Sequence, residues 1–217
     1  MQTMESEWMN AEHSMGTSIM AVTYDGGVIL GADSRTTTGA YIANRVSDKI
    51  TPITENVYCC RSGSAADTQA ISDYVRYYMA MHSLELGEEP KVATSAKLFR
   101  ELIYRNKANL LAGIICAGYD KFQGGQVFSI TLGGSLLRQP FAISGSGSGY
   151  IYGFCDSNFK ENMSREEAEQ FVVRALALAM SRDGSSGGVI RTLTINKDGV
   201  ERKFRSGKEI PTFYEGW

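Results

Sequence analysis

The chain has 217 residues, 43% of them apolar and 21% charged, with 22 Lys+Arg against 24 Asp+Glu for a formal net charge of −2. This is the composition of a soluble globular protein of one domain or two small ones. It lacks the basic excess of a nucleic-acid binder and the polybasic patch of a membrane-surface protein. No apolar run approaches the roughly 18 residues of a membrane span.

Residues 1–16 carry Glu5, Glu7, Glu12 and His13 but no Lys or Arg. They have neither the basic nor the apolar region of a secretory signal. Without them the remainder holds 21 acidic and 22 basic residues. The next segment alternates in the manner of a strand. Residues 18–24 and 28–33 read as two strands around Tyr24-Asp25-Gly26-Gly27, whose Asp-Gly and Gly-Gly pairs signal a tight hairpin. Residues 41–46 and 56–62 read as two more strands.

The period then changes. Ser64-Ala65-Ala66-Asp67 has the form of a capping box and opens a helix to about Leu84. Its stripe would be Ala66, Ala70, Ile71, Tyr74, Tyr77, Tyr78 and Met81. Residues 92–109 read as a second helix. Strands return at 111–118, 126–132 and 135–143, with Gly133-Gly134 turning the last pair. Glycine-rich 145–149 leads into a short helix ending near Phe159. Ser164-Arg165-Glu166-Glu167 is a second capping box, opening a helix with Ala168, Phe171, Val172, Ala175, Leu176 and Ala179 on one face. Strands at 188–195 and 200–205 close the chain. The tail carries Phe213, Tyr214 and Trp217, aromatics of exposed type suited to reach a neighbouring subunit. Strands in hairpins and helices in pairs predict an α+β fold of antiparallel sheets covered by helices, not a wound parallel sheet.

The chemistry centres on Gly16-Thr17. A cut between them leaves a threonine with a hydroxyl nucleophile and a free α-amine as base, whose reference pKa of about 7.7–8.0 suits the work. A hairpin centred on Asp25-Gly26 pairs positions summing to about 51, so Thr17 lies opposite about residue 34 and Asp33 falls beside it. Asp33 by itself also reads as a turn aspartate at a strand end. Lys49 alone reads as a solvated surface lysine. Buried near Asp33, its ammonium would stabilise an alkoxide on Thr17. Arg61 ends an otherwise apolar strand, and Arg61 and Gly63 share one of its faces. Gly63 could offer its N–H to a reacting carbonyl. Arg61 would project into the adjoining pocket and favour an acidic side chain.

Rival chemistries lack parts. Gly184-Ser185-Ser186-Gly187-Gly188 matches G-x-S-x-G, but a helix precedes it and a strand follows, the reverse of a nucleophile elbow. Gly145-Ser146-Gly147-Ser148-Gly149 fails G-x-G-x-x-G at Tyr150. His13 and His82 are the only histidines, which leaves a Ser–His–Asp triad and metal chemistry without groups. Cys59, Cys60, Cys116 and Cys155 have no zinc spacing and read as buried free thiols in a reducing compartment, cytosolic or nuclear.

Together, Gly16-Thr17, Gly31-Ala32-Asp33-Ser34-Arg35, Lys49, Gly63 and Asp183-Gly184-Ser185-Ser186-Gly187-Gly188 resemble the catalytic beta subunits of the 20S proteasome, across essentially all of residues 17–217. Arg61-Ser62-Gly63-Ser64-Ala65-Ala66-Asp67-Thr68-Gln69 resembles their caspase-like beta-1 type. The resemblance implies an N-terminal-nucleophile hydrolase fold, a four-layer α-β-β-α sandwich, with residues 1–16 an autocleaved propeptide. It implies that Thr17 is the nucleophile, supported by Asp33 and Lys49, with Gly63 as oxyanion donor and Ser146, Asp183 and Ser186 around the amine. It implies a specificity pocket of Arg61 with Thr36, Thr37, Ser47, Thr51, Ala65 and Gln69. It also implies cleavage after acidic residues, no cofactor, alpha and beta partner subunits in stacked seven-membered rings, regulatory caps, unfolded polypeptide substrates, and a location in cytoplasm and nucleus. Ser18 stands where threonine is common, and Ser47 is a smaller pocket hydroxyl than usual. The readings that compete are a non-catalytic ring subunit and an amidase of small substrates.

Overall fold

The hairpin forms as its turn residues dictate. In a computed structural model that describes residues 16–213, β1 (Ile19–Tyr24) and β2 (Gly27–Ala32) pair from Ile19↔Ala32 to Tyr24↔Gly27. Only Asp25 and Gly26 lie in the turn, and Gly26 takes φ +110°, open to glycine at no steric cost. A short ribbon follows, β3 (Thr36–Thr38) with β4 (Tyr41–Asn44). Then come β5 (Ile50–Pro52) and β6 (Val57–Gly63). Two three-residue strands, β3 and β5, were too short to carry a periodic signal.

After helices α1 (Ala65–Leu86) and α2 (Val92–Asn106), the chain forms β7 (Ala112–Asp120), β8 (Gly124–Ile130), β9 (Leu136–Arg138) and β10 (Phe141–Ser144). The strand expected over 135–143 is two strands in different sheets. Pro140 has no N–H for a ladder, and the chain leaves one sheet and enters the other around it. A 3-10 turn (Ser146–Tyr150), α3 (Tyr152–Asn158), α4 (Arg165–Arg182), β11 (Ile190–Asn196) and β12 (Gly199–Arg205) complete the order. One antiparallel sheet runs β10-β1-β2-β11-β12 and the other β5-β6-β7-β8-β9.

Alternation along the strands builds three apolar layers. Ile19 and Ala21 of β1 face Cys60, Ile115 and Val127 between the sheets, while Met20 and Val22 face Phe171, Val172 and Leu176 of α4. Cys59, Cys116 and Phe128 of the second sheet face Ile71, Val75, Met79, Phe99 and Ile103 of α1 and α2. Both sheets are covered on both faces, giving a four-layer α-β-β-α sandwich. All four cysteines are free and buried.

Helix α4 fulfils its sequence signals. Ser164 and Glu167 form the reciprocal capping box, and all six residues of the expected stripe are buried. Helix α1 departs from them. Ser64 accepts from Asp67 N, but the Asp67 carboxylate accepts from Leu111 N at 3.0 Å rather than from Ser64, whose N–H goes to Leu111 O. Its buried face is Thr68, Ile71, Ser72, Val75 and Met79, whereas Tyr74, Tyr77, Tyr78 and Met81 are 46–61% exposed. The small hydroxyl residues can face the sheet because they satisfy themselves. Thr68 Oγ1 donates to Ser64 O at 2.8 Å and Ser72 Oγ to Thr68 O at 2.7 Å. Helix α2 stops at Asn106, three residues short of the expected end. Phe213 packs with Ile210 against the α4 core instead of reaching outward. Tyr214, Trp217 and residues 1–15 of the expected propeptide lie outside the described residues.

Candidate active site

The hairpin register carries one step beyond its strands. Asp33 N donates to Ser18 O and Ser18 N to Asp33 Oδ1, each at 3.0 Å, so Thr17 sits beside Asp33. Asp33 is fully buried. Its carboxylate also accepts from Arg35 N at 3.2 Å, Gly187 N at 3.0 Å and Lys49 Nζ at 2.6 Å. The other two protons of the Lys49 ammonium go to Arg35 O at 2.6 Å and Gly16 O at 3.2 Å. Lys49 is therefore a buried residue with three acceptors and not a solvated lysine. Burial holds its pKa below the ordinary lysine value, with the Asp33 carboxylate opposing that shift.

Thr17 is itself buried. Its Oγ1 donates to Gly16 O at 2.6 Å, and its N–H donates to Ser146 Oγ at 3.1 Å. Ser146 Oγ and Ser186 Oγ each lie 2.6 Å from Asp183 Oδ2, and Ser18 Oγ lies 2.8 Å from Ser186 Oγ. One carboxylate thus organises two serines, one of them on the Thr17 nitrogen. Gly145, at φ +91°, lets its loop approach so closely that a Cβ there would lie 2.1 Å from Thr17 O.

Gly16 is gripped on three sides. Its N–H donates to Thr37 Oγ1 at 2.9 Å, and its oxygen is held by Thr17 and Lys49. A Cβ on it would lie 2.0 Å from Ser185 O. A hydroxyl against this carbonyl, with an ammonium on the carbonyl oxygen, is suited to acyl transfer, since the cation would stabilise the oxyanion that attack creates.

A cavity of about 100 Å³ opens beside Thr17 and Gly16. Thr36, Ser47, Asp48, Lys49, Arg61, Gly63, Ala65, Thr68 and Gln69 complete its lining. Thr36 Oγ1 and Ser47 Oγ are 2.7 Å apart. Arg61 Nη2 donates to Asp48 O at 3.3 Å, while its Nε is buried and has no hydrogen-bond partner. Among the residues expected in the pocket, Thr36, Ser47, Arg61, Ala65 and Gln69 line it. Thr37 instead holds Gly16, and Thr51 sits opposite Cys59 on β5, away from the lining.

Four participants escaped the sequence reading. Asp48 and Thr68 line the cavity, Ser185 walls Gly16, and the Arg35 guanidinium donates to Gly184 O at 2.7 Å, holding the 184–187 loop. Arg35 had a signal in its position two residues after Asp33. Thr68 and Ser185 stand within the runs that carry the family resemblance but without a role of their own, and Asp48 has no signal, because only the folded chain brings it to the site. The G-x-S-x-G match at 184–188 lies between α4 and β11, so it forms no strand–turn–helix elbow. Among the described residues no group of three or more His, Cys, Asp or Glu could hold a metal, and no helix is long and apolar enough to cross a membrane.

A family model described as "Proteasome subunit" matches residues 13–195. The chain is 67% identical over 210 residues to "Proteasome subunit beta type-6" of Dictyostelium discoideum, covering 97% of this chain and 98% of that protein. It is 56% identical over 207 residues to "Proteasome subunit beta type-6" of Arabidopsis thaliana, covering 95% and 89%. It is 59% identical over 191 residues to "Proteasome subunit beta type-1" of Saccharomyces cerevisiae, covering 88% of each.

Proposed function

The chain belongs to the proteasome subunit family, and from that premise we propose that Thr17, freed by cleavage of its own bond to Gly16, is the nucleophile of a threonine endopeptidase. The subunit is of the beta type and works within the 20S core alongside other alpha and beta subunits. Its activity is hydrolysis of peptide bonds after acidic residues. The observation that carries this reading is a convergence. Thr17 Oγ1 and Lys49 Nζ meet at Gly16 O in a buried site that opens on the Arg61 cavity.

In the precursor, Thr17 Oγ1 gives up its proton and attacks the Gly16 carbonyl carbon. Lys49 balances charge on the oxygen, and Asp33 holds Lys49 in line. The C–N bond breaks, the nitrogen takes the proton that Thr17 Oγ1 gave up, and an ester joins Gly16 to Thr17. Water hydrolyses that ester, releasing residues 1–16 and a free amine. In the mature subunit the amine, within the Ser146, Asp183 and Ser186 shell, accepts the Thr17 hydroxyl proton through a water. The alkoxide attacks a substrate carbonyl, Gly63 donates its N–H to the oxyanion, and the leaving amine is protonated. Water then cleaves the acyl-enzyme. Arg61 receives the acidic side chain; its unpartnered Nε supports that assignment. We also propose cytoplasm and nucleus as its location, a reading that the four free cysteines fit.

Thr17→Ala in assembled particles tests the assignment. The subunit should keep the mass of its full 217 residues, and acid-specific peptide cleavage should disappear. A particle that still cleaves acidic peptides at the normal rate would overturn it and favour a non-catalytic ring role.

A further inference from the structure

We propose that Arg202, on β12 and outside the cavity, determines acid specificity by neutralising Asp48. The inference rests on the reading of the Arg61 cavity as the subsite for acidic side chains. Three charged residues line that cavity, Asp48, Lys49 and Arg61. Lys49 is paired with Asp33 at 2.6 Å. Asp48 carries its anion in the wall of that cavity, so an unneutralised Asp48 would repel a substrate carboxylate and attract Arg61.

Arg202 removes that conflict. Its Nη1 lies 2.7 Å from Asp48 Oδ2, and its Nη2 donates to Ile50 O at 2.9 Å. Its guanidinium also lies over the Tyr58 ring at 5.7 Å. Three contacts fix the fork. The second Asp48 oxygen, Oδ1, accepts from Ile50 N at 3.0 Å. Arg61 receives only the backbone carbonyl of Asp48. Among the described residues, no carboxylate pairs with Arg61 within salt-bridge distance, so its charge stays uncompensated until an acidic side chain arrives. Arg191 completes the support, donating from Nη2 to Val46 O at 2.9 Å and so holding the start of the Ser47–Lys49 wall.

The pair is half exposed, with both side chains 43% accessible, so water and salt screen it. A screened pair of this kind is worth roughly 1.4- to fivefold in a binding constant. In assembled particles carrying Arg202→Gln, kcat/KM for peptides with Asp or Glu before the cut should fall by that factor relative to peptides with Leu there. The loss should lie in KM, and rising salt should shrink it. Adding Asp48→Asn should restore the ratio, because the competing anion is gone. Arg202→Lys should retain it. An unchanged ratio in Arg202→Gln overturns the proposal. So does a lowered ratio that Asp48→Asn leaves lowered, which would make Arg202 a merely structural support. Wild-type particles serve as the control: if they fail to cleave acidic peptides through Thr17, the reading of the cavity itself falls, whatever the variants do.

Discussion

Gly16→Ala should slow release of residues 1–16. The added Cβ would lie 2.0 Å from Ser185 O and 2.2 Å from Ser185 Cβ, more than 1 Å inside ordinary contact. The loop has little room to retreat. Ser185 N is bonded to Asp183 Oδ1, Ser186 N to Asp183 O, and Gly184 O to Arg35. If Gly16 moves instead, its N–H leaves Thr37 and its carbonyl leaves Lys49. Overpacking by one methyl costs about 1–3 kcal/mol, and each 1.36 kcal/mol in a barrier is about tenfold in rate. A slowing of roughly 10–100-fold is expected, with misplacement of the reacting carbonyl adding to it. The assay is the intact mass of the subunit in purified particles, followed over time after assembly. A second chain that begins at Thr17 through a removable N-terminal fusion lacks Gly16 and should be fully active, which separates processing from turnover. Release of residues 1–16 from the Gly16→Ala chain at the wild-type rate would refute the steric argument.

Arg61→Leu should weaken the preference for acidic peptides while leaving propeptide removal intact; an unchanged ratio of acidic to apolar cleavage would discard the pocket assignment. Asp33→Asn strips a fully buried lysine partner, a change of the kind that costs about 3–5 kcal/mol, and should leave the propeptide attached by intact mass and lower the melting temperature. With the carboxylate gone, the Lys49 pKa moves further below 10.5, so the unfolded chain binds the extra proton. The deficit in stability should therefore shrink as pH rises towards 10.5, and a deficit that grows would contradict the sign. The four cysteines should resist thiol reagents at pH 8 in the folded protein and all react in denaturant. Burial raises Cys59 to about 11, Cys155 to about 12, and Cys60 and Cys116 well above the usual value. Stoichiometric labelling of any one in the folded state would show that its burial is wrong.

Local signals were legible wherever one residue type fixes one geometry. Asp25-Gly26 set the hairpin register, and from that register alone Asp33 fell beside Thr17. Ser164 and Glu167 set the start of α4. Signals failed where two readings share a period. Helix α1 carries both an aromatic stripe and a stripe of Thr68, Ser72, Val75 and Met79; counting tyrosine as apolar brings out the first, and the hydroxyls of Thr68 and Ser72 hide the second. The hydroxyl hydrogen bonds that admit Thr68 and Ser72 to the core are a property of the folded turn, not of the composition. Pro140 marked the break in 135–143, yet its effect, a change of sheet, depends on which strand stands beside each half. In the site, Lys49 and Arg61 were readable as charges in odd places. Ser185 and Asp48 were not, since only the folded chain brings them to Gly16 and to Arg61.

A newly cut chain end ordinarily frays, because its first residues have lost half of their neighbours. The end created at Thr17 would not. Strand β1 is an interior strand, with Ile19 facing Ser144 of β10 on one side and Ala32 of β2 on the other. Thr17 O also accepts from Gly147 N at 3.2 Å. The terminus would stay tied to the sheet and to the 145–147 loop, so the loss of conformational freedom that a mobile nucleophile would suffer at every turnover would be met once, when the chain folds. Folding, in this molecule, is where much of the entropy of catalysis is settled.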